Sequence, residues 1–187
     1  MKPTASINLP QWIPVVWIAA ALSIGAFFFE SILEKDWGKY ISIAGTLTEI
    51  LLWETIIRSL KGKGKCKTAL SATIFTSLFL QLVLNFFSDS IIISLISFVS
   101  WVVALILIIK NYSGTLKKYA ITEIICASLQ FIAIIVLAMI VEGASDSSDL
   151  QTTLRIIMCA IIILIYYPYK VLAEALKENE AEEPREE

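Results

Sequence analysis

Residues 68–109 read TALSATIFTSLFLQLVLNFFSDSIIISLISFVSWVVALILII, and Asp89 is the single charged residue among them. A helix that crosses about 30 Å of hydrocarbon needs about 20 mainly apolar residues at 1.5 Å each. The stretch is too long for one such helix and about right for two. The polar cluster Ser88-Asp89-Ser90 divides it. A turn facing lipid would leave its N–H and C=O groups unpaired, so this one is expected at a membrane surface. The fold class that follows is all-α, a polytopic transmembrane helical bundle.

Four further apolar segments flank this pair. The expected spans are about 11–33, 40–60, 68–88, 90–110, 119–141 and 151–172, six in all and arranged as three hairpins. They make residues 1–173 a single integral membrane domain. Residues 174–187 are strongly acidic and are expected to form a flexible cytoplasmic tail. Ahead of the first span only Lys2 is charged, and the run from Ile13 to Phe29 is longer than the core of a typical signal peptide. Ala19-Ala20-Ala21 resembles a small-residue cleavage site but lies inside the run, so the segment is read as an uncleaved span.

Composition points the same way. The 187 residues are 57% hydrophobic and 17% charged, with mean hydropathy +0.77, against roughly 45–50% apolar and about 25% charged in a soluble domain. A net charge of −2 argues against a nucleic-acid partner. The absence of His removes the commonest metal ligand. Cys66, Cys126 and Cys159 form no C-x-x-C pair, so neither metal nor disulfide framework is expected, and no cofactor either.

Orientation follows from Lys and Arg, which are retained on the cytoplasmic side. Arg58, Lys61, Lys63, Lys65 and Lys67 cluster after span two, and Lys110, Lys117 and Lys118 after span four. The remaining loops hold Lys35 and Lys39 against Glu34, Asp36, Asp89, Glu142, Asp146 and Asp149. Six spans fit this alternation when both termini are cytoplasmic. Richness in Ile, Ser and Lys suits a bacterial cytoplasmic (inner) membrane. The basic loop Lys61, Lys63, Lys65 and Lys67 lacks G-x-x-x-x-G-K-[ST], so it reads as a contact for anionic headgroups rather than a P-loop. The three hairpins share an acidic outer turn and a basic inner exit, but the positive-inside rule alone produces that pattern, so internal duplication is not inferred.

Ionisable residues inside spans are costly and are the functional candidates. Glu54 stands four residues before Arg58, the favourable order for an ion pair. Glu123 lies within a turn or two of Lys117 and Lys118, and Glu30 near the outer end of span one, so both are expected to reach an interface. Glu49 is different: counted from Tyr40 it lies about 13 Å down, near mid-membrane. A carboxyl there must be protonated or paired; Arg155, in span six, is the only basic residue inside a span and could pair with Glu49 or with Glu30, which lies at a more similar depth. Glu49 and Glu54 sit about 140° apart on a helix and do not converge as a catalytic pair.

Span three carries Ser77, Gln81 and Asn85 on one face, either as interhelical hydrogen bonding or as the lining of a solute path. Ser94, Ser97 and Trp101 read as a packing seam in span four, and Pro168 is expected to end or kink span six. With no nucleophile–base pair, the chain is expected not to be an enzyme. Two functions remain. One is a non-enzymatic subunit or scaffold of a membrane complex, partnered by another membrane protein or by copies of itself. The other is a small transporter or channel for an ion or small solute, using the buried carboxyl of Glu49 with Gln81, Asn85 and Arg155.

Overall fold

The computed structural model describes residues 7, 9–31, 37–60, 64–86, 90–143 and 148–177, with side chains for all but 30, 31, 64, 134, 137–143 and 148–155. A short 3-10 turn, Pro10–Trp12, leads into α1 (Ile13–Ser31). It is followed by α2 (Trp37–Ser59), α3 (Gly64–Phe86), α4 (Ile91–Asn111), α5 (Thr115–Gly143) and α6 (Ser148–Ala175). No strand occurs among the described residues. Among the described residues, five of the six helices are long and apolar enough to cross a membrane: Pro10–Phe29, Trp37–Ser59, Lys65–Phe86, Ile91–Asn111 and Ile156–Ala175. The remaining helix, α5, is 29 residues long.

Each helix packs on its neighbours in the chain, and α1 also packs on α6, so the six close into a ring. The links are three to five residues, reaching at most about 18 Å, whereas a 23-residue helix is about 34 Å long. Packed neighbours must therefore run antiparallel. One end of the ring carries Arg58, Lys65 and Lys110 and is called the basic end; the other holds the α1–α2, α3–α4 and α5–α6 links. At the basic end the Leu9 N–H donates to the Leu176 carbonyl (3.2 Å), tying the entry of α1 to the exit of α6.

The links show how local chemistry ends each helix. Lys67 donates to the carbonyls of Arg58 (2.9 Å) and Leu60 (3.4 Å), satisfying the orphan acceptors at the end of α2. Ser90 accepts from the Ile93 N–H and caps α4, the start of which lies where the central apolar stretch divides. Gly114, at φ 78°, makes the tight reversal into α5, a conformation that a Cβ would strain. Pro168 does not end α6, which runs through it for a further two turns to Ala175.

The apolar core is asymmetric. Leu52, Trp53, Ile56, Leu70, Ile74, Leu105, Ile108, Tyr112, Leu116 and Leu172 fill the half of the ring nearest the basic end. Few described side chains are buried nearer the opposite end. The outward faces are apolar and open: Ile91 is 83% exposed, and Phe79, Phe86, Phe98, Phe131, Ile156 and Ile163 on α3 to α6 are exposed as well. A water-soluble protein does not leave so much apolar surface bare, and lipid is the solvent that covers it. Hydroxyls on these helices are turned inward on their own backbone: Thr46 to the Ser42 carbonyl, Thr48 to Ala44, Thr55 to Leu51 and Ser128 to Ile124. The fold is that of an integral membrane helical bundle.

Candidate functional site

Above the apolar core the ring encloses a cavity of about 240 Å³, and every helix contributes to its wall. Ser23 comes from α1, Glu49 and Trp53 from α2, and Leu78 and Gln81 from α3. Trp101 comes from α4, Tyr119, Glu123 and Gln130 from α5, and Leu164, Pro168 and Tyr169 from α6. A second cavity of about 280 Å³ lies between α1, α2 and α3, lined by Ala26, Phe27, Ser42, Gly45 and Thr46. It shares Ser23, Glu49 and Gln81 with the first. Glu49 therefore stands where the two meet. Gly45 sits where α1 and α2 approach closely, because a Cβ there would meet the Leu22 Cβ at 3.4 Å.

The two carboxyls lie at matching depth. Glu49 is ten residues from the end of α2 and Glu123 eight from the start of α5, about 15 and 12 Å from the basic end. Glu49 Oε1 accepts from the Tyr169 hydroxyl, which also shares a hydrogen bond with Ser23 Oγ (2.8 Å). Glu123 Oε1 accepts from the Trp101 indole N–H (3.2 Å). A carboxyl has about four acceptor sites, and each of these two has one donor among the described residues. Pro168 has no N–H to give the Leu164 carbonyl one turn earlier, and both residues line the cavity. No Lys or Arg is among the described residues lining it.

Aromatic rings make another part of the wall. The Trp53 ring meets Trp101 edge-on (centroids 5.7 Å, interplanar 83°) and tilts against Tyr119 (5.7 Å, 49°). These contacts hold the three rings in fixed relation. They also bring α2, α4 and α5 together across the interior.

The candidates read from the sequence separate in space. Glu49 and Gln81 line both cavities, and Glu123 lines the central one. Asn85 does not join them: its amide donates to the Gln81 carbonyl one turn back (3.0 Å). Ser77 leaves the path as well, bonding to the Ser97 carbonyl (3.0 Å) while Ser97 bonds to the Ser77 carbonyl (3.1 Å), which locks α3 to α4. The side chains of Arg155 and Glu30 lie outside the described residues, as do Lys61 and Lys63; Lys65 is exposed. Glu54 pairs with Arg58 on the exposed surface.

Glu123 departs from its expected place, since it bonds inward to Trp101 rather than reaching the interface. Eight residues into a helix is too deep for that, and counting depth would have found it. Trp101 reads from the sequence as packing, because a ring in a packing seam and a ring in a site wall have the same spacing. No family model matches the chain, nor does any curated protein or solved structure.

Proposed function

We propose that the chain is a small transporter or channel for an ion or small solute, with Glu49 at its binding site. The observation that carries this reading is the cavity, to which all six helices contribute and where Glu49 joins a second cavity leading away from the basic end. A carboxyl deep in a membrane protein is costly and is by default a candidate for a solute or ion path. A scaffold has no use for two carboxyls and an unfilled interior, so the chain's expected lack of enzymatic chemistry is better matched to transport than to assembly.

In this reading all six helices span the membrane as three hairpins within one domain, and both termini are cytoplasmic. Retention of the basic end inside supports it, as does the bond between Leu9 and Leu176 at that end. The central cavity then opens toward the outside, and the apolar core below it is the closed inner gate. The setting proposed is a bacterial inner membrane, with lipid as the surrounding partner and no nucleic acid.

Flux in proteoliposomes tests the proposal. Protein-dependent movement of protons or a small solute should appear with the wild type and fall at least tenfold with Glu49→Gln. Equal flux from the two proteins would sink the assignment of Glu49.

A further inference from the structure

Resting on that reading of the cavity as a solute site, we infer that its ligand is a small organic cation, an ammonium carrying an aromatic or aliphatic body. The charge sits against Glu49 and Glu123, and the body lies on Trp53, Trp101 and Tyr119.

Three features of the wall select this class. First, its described lining holds the two carboxyls of Glu49 and Glu123 and no Lys or Arg, which disfavours an anion. Two carboxyls in a low-dielectric site call for a positive partner. Second, three mutually packed aromatic rings, Trp53, Trp101 and Tyr119, are among the lining residues, and rings attract a cation that sheds its water readily, Trp best of all. A metal ion instead needs a shell of six or more oxygens; among the described residues no three of His, Cys, Asp and Glu come together to hold one. Third, the volume of about 240 Å³ falls below the roughly 300–1,000 Å³ of drug-sized sites and suits a body on the order of ten non-hydrogen atoms.

The two carboxyls have different tasks. Glu49 touches both cavities and meets the cation on its way in, whereas Glu123 is reached only from the central one. Trp101, by holding Glu123 through its N–H, keeps that carboxyl beside the ring wall.

The experiment uses the full chain in mild detergent and reads its own tryptophan fluorescence, since two of its five tryptophans line the cavity. Benzyltrimethylammonium is titrated beside its neutral carbon isostere, neopentylbenzene, and beside benzoate. A saturable change with the cation is expected, at least tenfold tighter than with either control. Glu49→Gln and Glu123→Gln should each weaken it by roughly tenfold to a hundredfold, the range for a hydrogen bond or contact to a charged group. Equal binding of the neutral isostere, tighter binding of benzoate, or no saturable change with the wild type overturns the inference without recourse to any variant. Glu49-dependent proton flux with no cation binding would overturn the inference and leave the transport reading standing. Cation binding without Glu49-dependent flux would do the reverse.

Discussion

The Tyr169 hydroxyl of α6 donates to the carboxyl of Glu49 in α2, passing in front of Ser23 on α1, the helix that separates them in the ring. One phenol thus joins three helices at the level of the cavity. Removing it with Tyr169→Phe leaves Glu49 without this donor and should cost about 1–3 kcal/mol. Combining Tyr169→Phe with Glu49→Gln should give a loss smaller than the sum, by about 1 kcal/mol or more. Denaturant unfolding of the four proteins in one detergent measures this. Strict additivity would mean that the two side chains do not interact.

Ser77 and Ser97 bond each other's carbonyls and are both buried between α3 and α4. Their hydroxyl oxygens are 3.3 Å apart, close enough for a disulfide once both are sulfur. Ser77→Cys with Ser97→Cys, in a background lacking Cys66, Cys126 and Cys159, should crosslink under mild oxidant within one chain. Mass spectrometry of the peptides reads the result; reduced thiols at both positions would contradict the packing of α3 on α4.

Gly114 and Gly45 should respond differently to alanine. Gly114 has φ 78°, so Gly114→Ala strains the turn into α5 by about 1–2 kcal/mol. Gly45 is helical and a methyl there meets the Leu22 side chain at 3.4 Å, so Gly45→Ala should fall within about 1 kcal/mol of the wild type. Gly45→Leu should separate α1 from α2 and cost about 1–3 kcal/mol. Thermal unfolding of the three variants orders them.

Arg58 offers a contrast with the interior. Its partner Glu54 and its own side chain are exposed, so Arg58→Ala should cost no more than about 1 kcal/mol. Glu123→Ala, which takes from Trp101 its hydrogen-bond partner in the cavity, should cost about 1–3 kcal/mol. If the two unfold alike, the inward bond of Glu123 to Trp101 is wrong.

Much of the fold was legible because lipid imposes a simple rule on sequence. The apolar stretch around Ser88-Asp89-Ser90 does divide into two helices, α3 and α4, and the ion pair of Glu54 with Arg58 follows from a spacing of four. The site was legible only in part. Glu49 stands out from depth alone; of the α3 face, Ser77 makes an interhelical bond, Gln81 lines the cavities and Asn85 turns back to its own helix. The partners of Glu49 and Glu123 were out of reach, since Tyr169 lies 120 residues from Glu49 and Trp101 lies 22 from Glu123. Nothing in local periodicity encodes which helix closes a ring.

That closure carries a consequence for biosynthesis. The helices leave the ribosome in order, and α1 to α5 can form only an open arc, with Glu49, Gln81 and Glu123 along its concave side. Tyr169 and the Leu176 carbonyl arrive last and seal both the polar wall and the basic end. Until α6 is inserted, the nascent chain must shelter its carboxyls from hydrocarbon by some other means, such as protonation, water or an insertase. A chain truncated before α6 should therefore be recognised by membrane proteases as unfinished, even though most of its core residues have already been made.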